Sequence, residues 1–431
     1  MLDIQFVRDN AELVKEKSQQ KQIQVDVDQL LKVDEERRNL LVEIENLRGK
    51  RNEFAASLKA GNPTPEQIEQ GKRIKEELTL LEQKLVPLEE DFEQLLKTIP
   101  NMPLDDVPVG KSEAENVVAK TVGEPTTFSF QPKNHYELGE TKGWIDKERA
   151  AKVAGSRFAY LKGDLVLLEF ALWQFALSQL TNQEILQEII DKNQLQVSAK
   201  PFVPVLPPAV ARTEVYEATG RLDKEEVTYK LAEDDLWLNA SAEHTLAPMY
   251  LNETLQEADL PLRYAGYTTA FRREAGTYGK DMEGILRLHQ FNKLEMESFS
   301  LPEAALQEHL FMVAVQEHLM QQLQLPYQVV LKCTADIGKP NARGVDIDTW
   351  LPGQNKYRET HTADYIGDYQ ARRMRTRVRR NDGQTQFVHT NDATAFSERP
   401  LIAIIENNQT AEGDVVIPTV LHPYMGGRKK I

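Results

Sequence analysis

The sequence predicts an α+β protein with an N-terminal antiparallel helical coiled-coil arm, followed by a domain built on a mainly antiparallel sheet flanked by helices. Three observations predict it. Two apolar heptad seams are separated by a Gly- and Pro-containing turn. Later strand-like segments follow one another, with helices grouped between them rather than alternating. Finally, from Phe271 to Glu295 two strand-like runs flank a loop rich in Gly and charge, the pattern of a hairpin carrying polar side chains. A chain of 431 residues at 41% hydrophobic can form two or three domains, each burying its own core.

The first seam runs Leu30, Val33, Arg37, Leu40, Ile44, Leu47, Arg51, Phe54, Leu58 and is broken by Gly61-Asn62-Pro63-Thr64-Pro65. The second runs Ile74, Leu78, Leu81, Leu85, Leu88, Phe92, Leu95, Ile99 and stops before Pro100. A short turn makes the helices antiparallel, and at 1.5 Å per residue each projects roughly 45 to 50 Å. Pro87 is expected to kink the second helix. Arg37 and Arg51 at seam positions read as possible register devices.

Charge along this arm is uneven. Residues 48 to 75 carry a net +4 and residues 76 to 97 a net −5, within a chain of net −15. An acidic protein does not adhere generally to nucleic acid, so any such contact is local. Arg48, Lys50, Arg51, Lys59, Lys72, Arg73 and Lys75 near the turn are the candidates for it. A solvated coiled coil that joins subunits accounts for the charge equally well.

The composition places one boundary after residue 105, with a Pro-dotted connector over 106–132 and a second domain over 133–431. There Leu165 to Leu180 is apolar on nearly all sides, as in a helix packed in a core or at a dimer interface. Phe202 to Pro208 is extended. Strands are expected at Leu236–Asn239, Ala265–Arg273, Leu286–Glu295, Val329–Thr334, Asp346–Leu351 and Gln386–His389, and helices at about Pro302–Leu323 and from Pro400. No P-loop fingerprint occurs, so an ATP enzyme of this sequence must hold phosphates with arginines and metal. Cys333 alone makes no intramolecular disulfide and no zinc cluster, which fits a reducing compartment. With no apolar run of about 18 residues and no signal-peptide pattern, the chain is expected to be cytoplasmic, with no membrane association.

Phe271-Arg272-Arg273-Glu274-Ala275-Gly276, then Arg287-Leu288-His289-Gln290-Phe291-Asn292-Lys293-Leu294-Glu295, resembles motif 2 of the class II aminoacyl-tRNA synthetases in its seryl form. Further segments similar to the seryl-tRNA synthetase family are Gly155-Ser156-Arg157-Phe158, Ser241-Ala242-Glu243, Trp350 to Glu359, Tyr369 to Arg373, Ile402 to Asn407 and Val416 to Gly426. The resemblance covers nearly the whole chain. It implies a homodimeric serine–tRNA ligase with ATP and Mg²⁺ as cofactors, and with L-serine and tRNA(Ser), gripped by the arm, as partners. It implies catalysis by Arg272 on the α-phosphate and Arg399 on the γ-phosphate, within an ATP site of Arg272, Arg273, Glu274, Phe291, Glu359, Thr360, His361, Thr362 and Arg399. Glu359 and Thr362 would carry the metal. Serine would meet Ser241, Ala242, Glu243, Arg272, Glu295 and Thr394.

The sequence departs from the family's pattern at the amino-acid end. Ser241 stands for a Thr, Glu359-Thr360-His361-Thr362 replaces Glu-x-Ser-Ser, and Ala363-Asp364 replaces a Cys-Ser pair. Asn391-Asp392-Ala393-Thr394 replaces the usual lead-in to motif 3, one residue shorter. These changes keep two other readings open: an amino-acid:carrier-protein ligase on the same catalytic domain, and an inactive tRNA-binding paralogue. The run Arg372, Arg373, Arg375, Arg377, Arg379, Arg380 could line the path of a tRNA acceptor end or form a solvated, ion-paired face.

Overall fold

The computed structural model describes residues 1–58, 64–222, 228–274 and 284–431. The chain falls into two compact units, Met1–Met102 and Pro103–Ile431.

The first unit contains α1 (Ile4–Asp9), α2 (Ala11–Gln20), α3 (Val27–Ser57) and α4 (Pro65–Thr98). Asp26 caps α3 by accepting from the Gln29 amide, and Thr64 opens α4 with a reciprocal capping box to Gln67 and Pro65 in its first turn. With 31 and 34 residues, α3 and α4 extend about 47 and 51 Å. They pair in opposite directions, since Arg37 meets Phe92 while Arg48 meets Glu82. Ile44, Leu47 and Leu78 are the buried heart of the seam, flanked by Leu40, Ile74, Leu81 and Leu85. Arg37 fits its seam position by lying 4.2 Å from the Phe92 ring centroid, where the guanidinium packs on the aromatic face. Pro87 sits on an exposed side of α4, which continues unbroken through it.

The second unit is organised by an eight-stranded sheet. In chain order its strands are β1 (Val117–Val122), β2 (Val203–Val205), β3 (Leu262–Phe271), β4 (Gln290–Ser300), β5 (Tyr327–Leu331), β6 (Arg343–Leu351), β7 (Lys356–Gly367) and β8 (His389–Ser397). They lie in the order β1-β5-β6-β7-β8-β4-β3-β2. Every neighbouring pair is antiparallel except the β2–β3 edge. The helices Asp164–Leu180, Ala305–Leu323 and Glu398–Asn407 pack on it and share one large apolar core, which includes Phe175, Phe311, Phe396 and Leu401.

Several expectations shift. The predicted connector 106–132 supplies β1, an edge strand paired with β5, so it is part of the sheet rather than a spacer. β4 begins at Gln290, four residues later than expected, because Ile285 to Arg287 form a bend before it. The segment Gln386–His389 divides: Thr385–Phe387 joins a small separate sheet, and His389 opens β8. β7 and most of β8 lie in the middle of the main sheet yet carry no strand signal in the sequence, because they place polar residues on the face that builds the site.

Candidate active site

The pairing of β3 with β4 brings Phe271 opposite Gln290 and Ala270 opposite Phe291, so the ends of the Phe271–Glu295 stretch converge. Arg272 follows β3 directly. Its Nε donates to the Ala240 carbonyl at 3.2 Å, and its guanidinium lies 5.1 Å from the Phe291 ring centroid. Desolvation, followed by the positive charge of Arg399, lowers the pKa of Arg272. Glu274 holds a left-handed backbone at φ 51°, which turns its carboxylate back to Arg287 Nη1 at 2.6 Å, while its carbonyl accepts from Arg157. Arg273 is exposed and lies over the Tyr229 ring. The loop residues 275–283 lie outside the described residues.

Arg399 enters from the start of the helix Glu398–Asn407 and meets Glu359 of β7, Nη1 to Oε1, at 2.9 Å. Desolvation acts to raise the Glu359 pKa, but Arg399 and Lys332 override it and bring it down to about 2. These side chains, with Thr360, Thr362, Lys293 and Thr394, line a cavity of about 330 Å³. A second, of about 680 Å³, shares Leu286, Arg287, Glu359 and Arg399 and adds Asp346 and Asp348. His361 does not line either cavity. Strand alternation turns it to the other face from Thr360 and Thr362, where it is buried 5.7 Å from the Phe396 ring and burial brings its pKa down to about 3. The sequence placed it with its neighbours; the pleat removes it.

At the other end, β4 and β8 set Glu295 opposite Thr394. Ser241 Oγ donates to Glu295 Oε2 at 3.2 Å, and Lys293 Nζ forms an ion pair with the same oxygen. Glu295 is fully buried, which raises its pKa despite Lys293. Glu243 lies behind the cavity wall, accepting from Arg221 Nε at 2.9 Å and Gln370 Nε2 at 2.8 Å. Ala242 is buried in the turn before Glu243 and offers only backbone atoms. None of Ser241, Ala242, Glu243 and Glu295 lines the cavity; all four stand buried one layer behind it.

Residues 1–103 match the seryl-tRNA synthetase N-terminal domain, and residues 227–408 match the tRNA synthetase class II core domain (G, H, P, S and T). The serine–tRNA ligase of Thermodesulfovibrio yellowstonii is 41% identical over 99% of this chain and 99% of its own. The chain belongs to the seryl-tRNA synthetase family. A crystal structure of seryl-tRNA synthetase from Pyrococcus horikoshii complexed with ATP superposes with a TM-score of 0.88 at 38% identity, covering 100% of this chain and 99% of that one. The cytoplasmic serine–tRNA ligase of Naegleria fowleri, in complex with AMP, gives 0.84 at 27% identity, covering 100% and 98%.

Within this family member, the residues that sequence reasoning missed are Arg221, Lys293 and Lys332, all of which line the cavity. Lys293 sits inside the motif 2 stretch, two residues before Glu295 on the same face of β4, and that spacing alone could have found it. Arg221 gave no local signal, because its partners come from distant elements, and Lys332 has only Asp336, four residues on, as a near partner. Lys332 lies 3.7 Å from both Asp336 and Asp346; burial would lower its pKa, and these carboxylates raise it instead.

On the arm, Lys50, Arg51, Lys72, Arg73 and Lys75 are exposed. Arg48 is engaged by Glu45 and Glu82, each at 2.8 Å, and Arg73 is near Glu69. Lys59 lies outside the described residues. In the basic run of the second unit, Arg372 pairs with Asp368, Arg380 pairs with Glu257 and Glu303, and Arg372 and Arg377 flank the Phe387 ring.

Proposed function

We propose that the chain is a serine–tRNA ligase that forms seryl-adenylate from L-serine and ATP and passes the seryl group to the 3′ end of tRNA(Ser). One observation carries this reading: Arg272, Glu274, Phe291, Glu359 and Arg399 surround a single cavity that Lys293 and Thr394 also line, with Glu295 buried behind that wall opposite Thr394. Phe291 offers a ring face for adenine, and Glu274 an acceptor for its amino group. Arg272, at the junction, faces the α-phosphate and the serine carboxylate. Attack of that carboxylate on the α-phosphate, with departure of pyrophosphate, needs aligned partners and offset charge rather than covalent help from the protein. Arg399 meets the γ-phosphate.

The oxygen donors fit Mg²⁺. Glu359 and Thr362 would hold the ion together with ATP phosphates, where it offsets phosphate charge. Thr362 stands opposite Asp346 and Glu359 opposite Asp348, all of them hard oxygen ligands. Among the described residues no group of three or more His, Cys, Asp or Glu side chains could hold a metal by itself, which suits an ion bound through one carboxylate and the substrate.

Serine's ammonium is received by Glu295, whose Oε1 has no hydrogen-bond partner among the described groups. Lys293 occupies the other oxygen, Oε2, so Oε1 is the one left for the substrate. Ser241 orients that carboxylate, Glu243 supports the wall, and Thr394 faces the side chain. The exposed basic residues of the α3–α4 arm, near its turn, take the tRNA phosphates.

We read the protein as a homodimer: Leu167 and Phe170 on the helix Asp164–Leu180 and Val203 and Leu206 at the β2 edge are about half exposed or more, an apolar surface that a second copy would cover. No described helix is long and apolar enough to cross a membrane, and we place the protein in the cytoplasm. ATP–pyrophosphate exchange with each of the twenty amino acids tests the reaction. Serine alone should support it, no exchange would indicate a binding paralogue, and exchange with glycine or alanine would overturn serine.

A further inference from the structure

The strand registers set three carboxylates in one row: Glu297 of β4 opposite Asp392 of β8, and Asp392 opposite Asp364 of β7. All three are buried. Like charges directly opposite one another on antiparallel strands repel, so the row needs an explanation. Two residues along the strands, on the same face, stand Glu295, Thr394 and Thr362 of the site described above. The acidic row is therefore the next layer below the amino-acid end.

Arg221 is set against this layer. Its Nη2 lies 3.6 Å from Asp364 Oδ2 and 3.5 Å from Asp392 Oδ1, and its Nε donates to Glu243 Oε1 at 2.9 Å. Glu243 is held in turn by Gln370. The guanidinium is thus clamped from behind and below. Its side chain retains 18% of its exposure, and it lines the cavity together with Asp364 and Thr394. Asp364 Oδ1 has no hydrogen-bond partner among the described groups, and neither has either oxygen of Glu297. Burial, with Asp392 alongside, raises Glu297 well above the usual carboxyl range, and burial with Glu243 alongside does the same for Asp392, so the row does not set its full negative charge against Arg221.

We propose that Arg221 and Asp364 form the floor of the amino-acid pocket and read the substrate hydroxyl, Arg221 donating to it and Asp364 accepting from it; this rests on the serine reading above. A hydroxyl is both donor and acceptor, and a floor that presents one fixed N–H edge and one carboxylate oxygen matches it. A methyl group in its place leaves both floor groups unpaired in a desolvated pocket, the arrangement that gives the strongest rejection of an analogue lacking the group. Alanine is excluded by chemistry rather than by size.

Pyrophosphate exchange with serine and with alanine, in the full-length protein, tests the floor with Asp364→Asn and Arg221→Lys. Each variant should raise the serine KM by about 10- to 100-fold and lower the serine-to-alanine ratio of kcat/KM by a similar factor, with the ATP KM within about twofold. Arg221→Lys keeps the charge but not the fork; if it melts early, Asp364→Asn decides alone. An unchanged serine-to-alanine ratio, or an ATP KM that moves in step with the serine KM, overturns the proposal. If the wild-type protein activates another amino acid instead, the serine reading falls separately. The same variants measured with that amino acid then judge the floor, an unchanged KM overturning it.

Discussion

Arg399 grips Glu359 twice, its Nη1 lying 2.9 Å from the carboxylate Oε1 and 2.9 Å from the carbonyl oxygen of the same residue. The contact joins the start of a helix to a central strand at the point where the two cavities meet. The Glu359 side chain keeps 48% of its exposure, so solvent screens the pair and it contributes only about 0–1 kcal/mol to stability. Its value is positional. Arg399→Ala should leave the melting temperature nearly unchanged while lowering kcat for pyrophosphate exchange by about 10²- to 10³-fold. An unaltered kcat would show that Arg399 offsets no charge in the transition state.

Arg272→Ala removes a guanidinium held by one backbone carbonyl and the Phe291 ring, contacts that do not support the core. Far-UV circular dichroism should therefore match that of the wild type. Adenylate formation should fall at least as far as in Arg399→Ala, because in the proposed reaction Arg272 faces both reacting groups. Retained exchange would mean that the α-phosphate lies elsewhere.

The arm was legible in the sequence because a heptad repeat is local, and even its odd member Arg37 is explained by a residue on the facing seam, Phe92. The Phe271–Glu295 stretch was legible for the same reason, since a hairpin pairs near neighbours. β7 was not: Lys356 to Gly367 alternates polar residues that build the site with buried ones such as His361, so its pattern resembles neither a half-buried strand nor a core strand. Arg221 was least legible. Glu243, Asp364 and Asp392 become its partners only when two strands and a short helix assemble, and no spacing rule links them.

On the arm, the structure ranks the basic candidates. Arg48 is already neutralised by Glu45 and Glu82, whereas Lys72 and Lys75 are exposed. Replacing Lys72 and Lys75 with Gln should raise the tRNA KM and reduce the log–log salt slope of binding by about one for each tRNA phosphate that no longer meets a lysine. Arg48→Gln should do less. Serine-dependent exchange, which needs no tRNA, should be unaffected in both and nearly intact after deletion of residues 36–92, which should abolish charging. Equal loss of exchange and charging would refute the assignment of the arm.

The buried pair Arg263–Glu308 bears on stability alone. Arg263 Nε and Nη2 donate to the two carboxylate oxygens at 2.8 and 2.6 Å, and Phe311 lies 4.4 Å from the guanidinium. Glu308→Ala leaves a fully buried guanidinium without its counter-charge, which costs about 3–5 kcal/mol. Replacing both residues with apolar side chains of similar volume should recover much of that loss in urea unfolding. If the single and double variants were equally unstable, packing rather than charge would govern the site.

Glu398 gives a pH dependence whose sign follows from its burial. Asn292 stands between two acids, donating its amide N–H to Glu398 at 3.0 Å and its side chain to Glu169 at 2.9 Å. Burial first, then Glu169, pushes Glu398 up to about 8 from 4.5. The folded state thus holds a proton that the unfolded chain releases near its ordinary pKa. The stabilising contribution is complete below about pH 4.5 and is lost as pH rises toward 8, with a slope of at most about 1.4 kcal/mol per pH unit for one proton. Glu398→Gln keeps the shape without the proton. Urea unfolding of the two proteins at intervals from pH 5 to 8 should show the variant losing less stability as pH rises. Parallel curves would mean that Glu398 ionises in the folded protein as freely as in the unfolded chain.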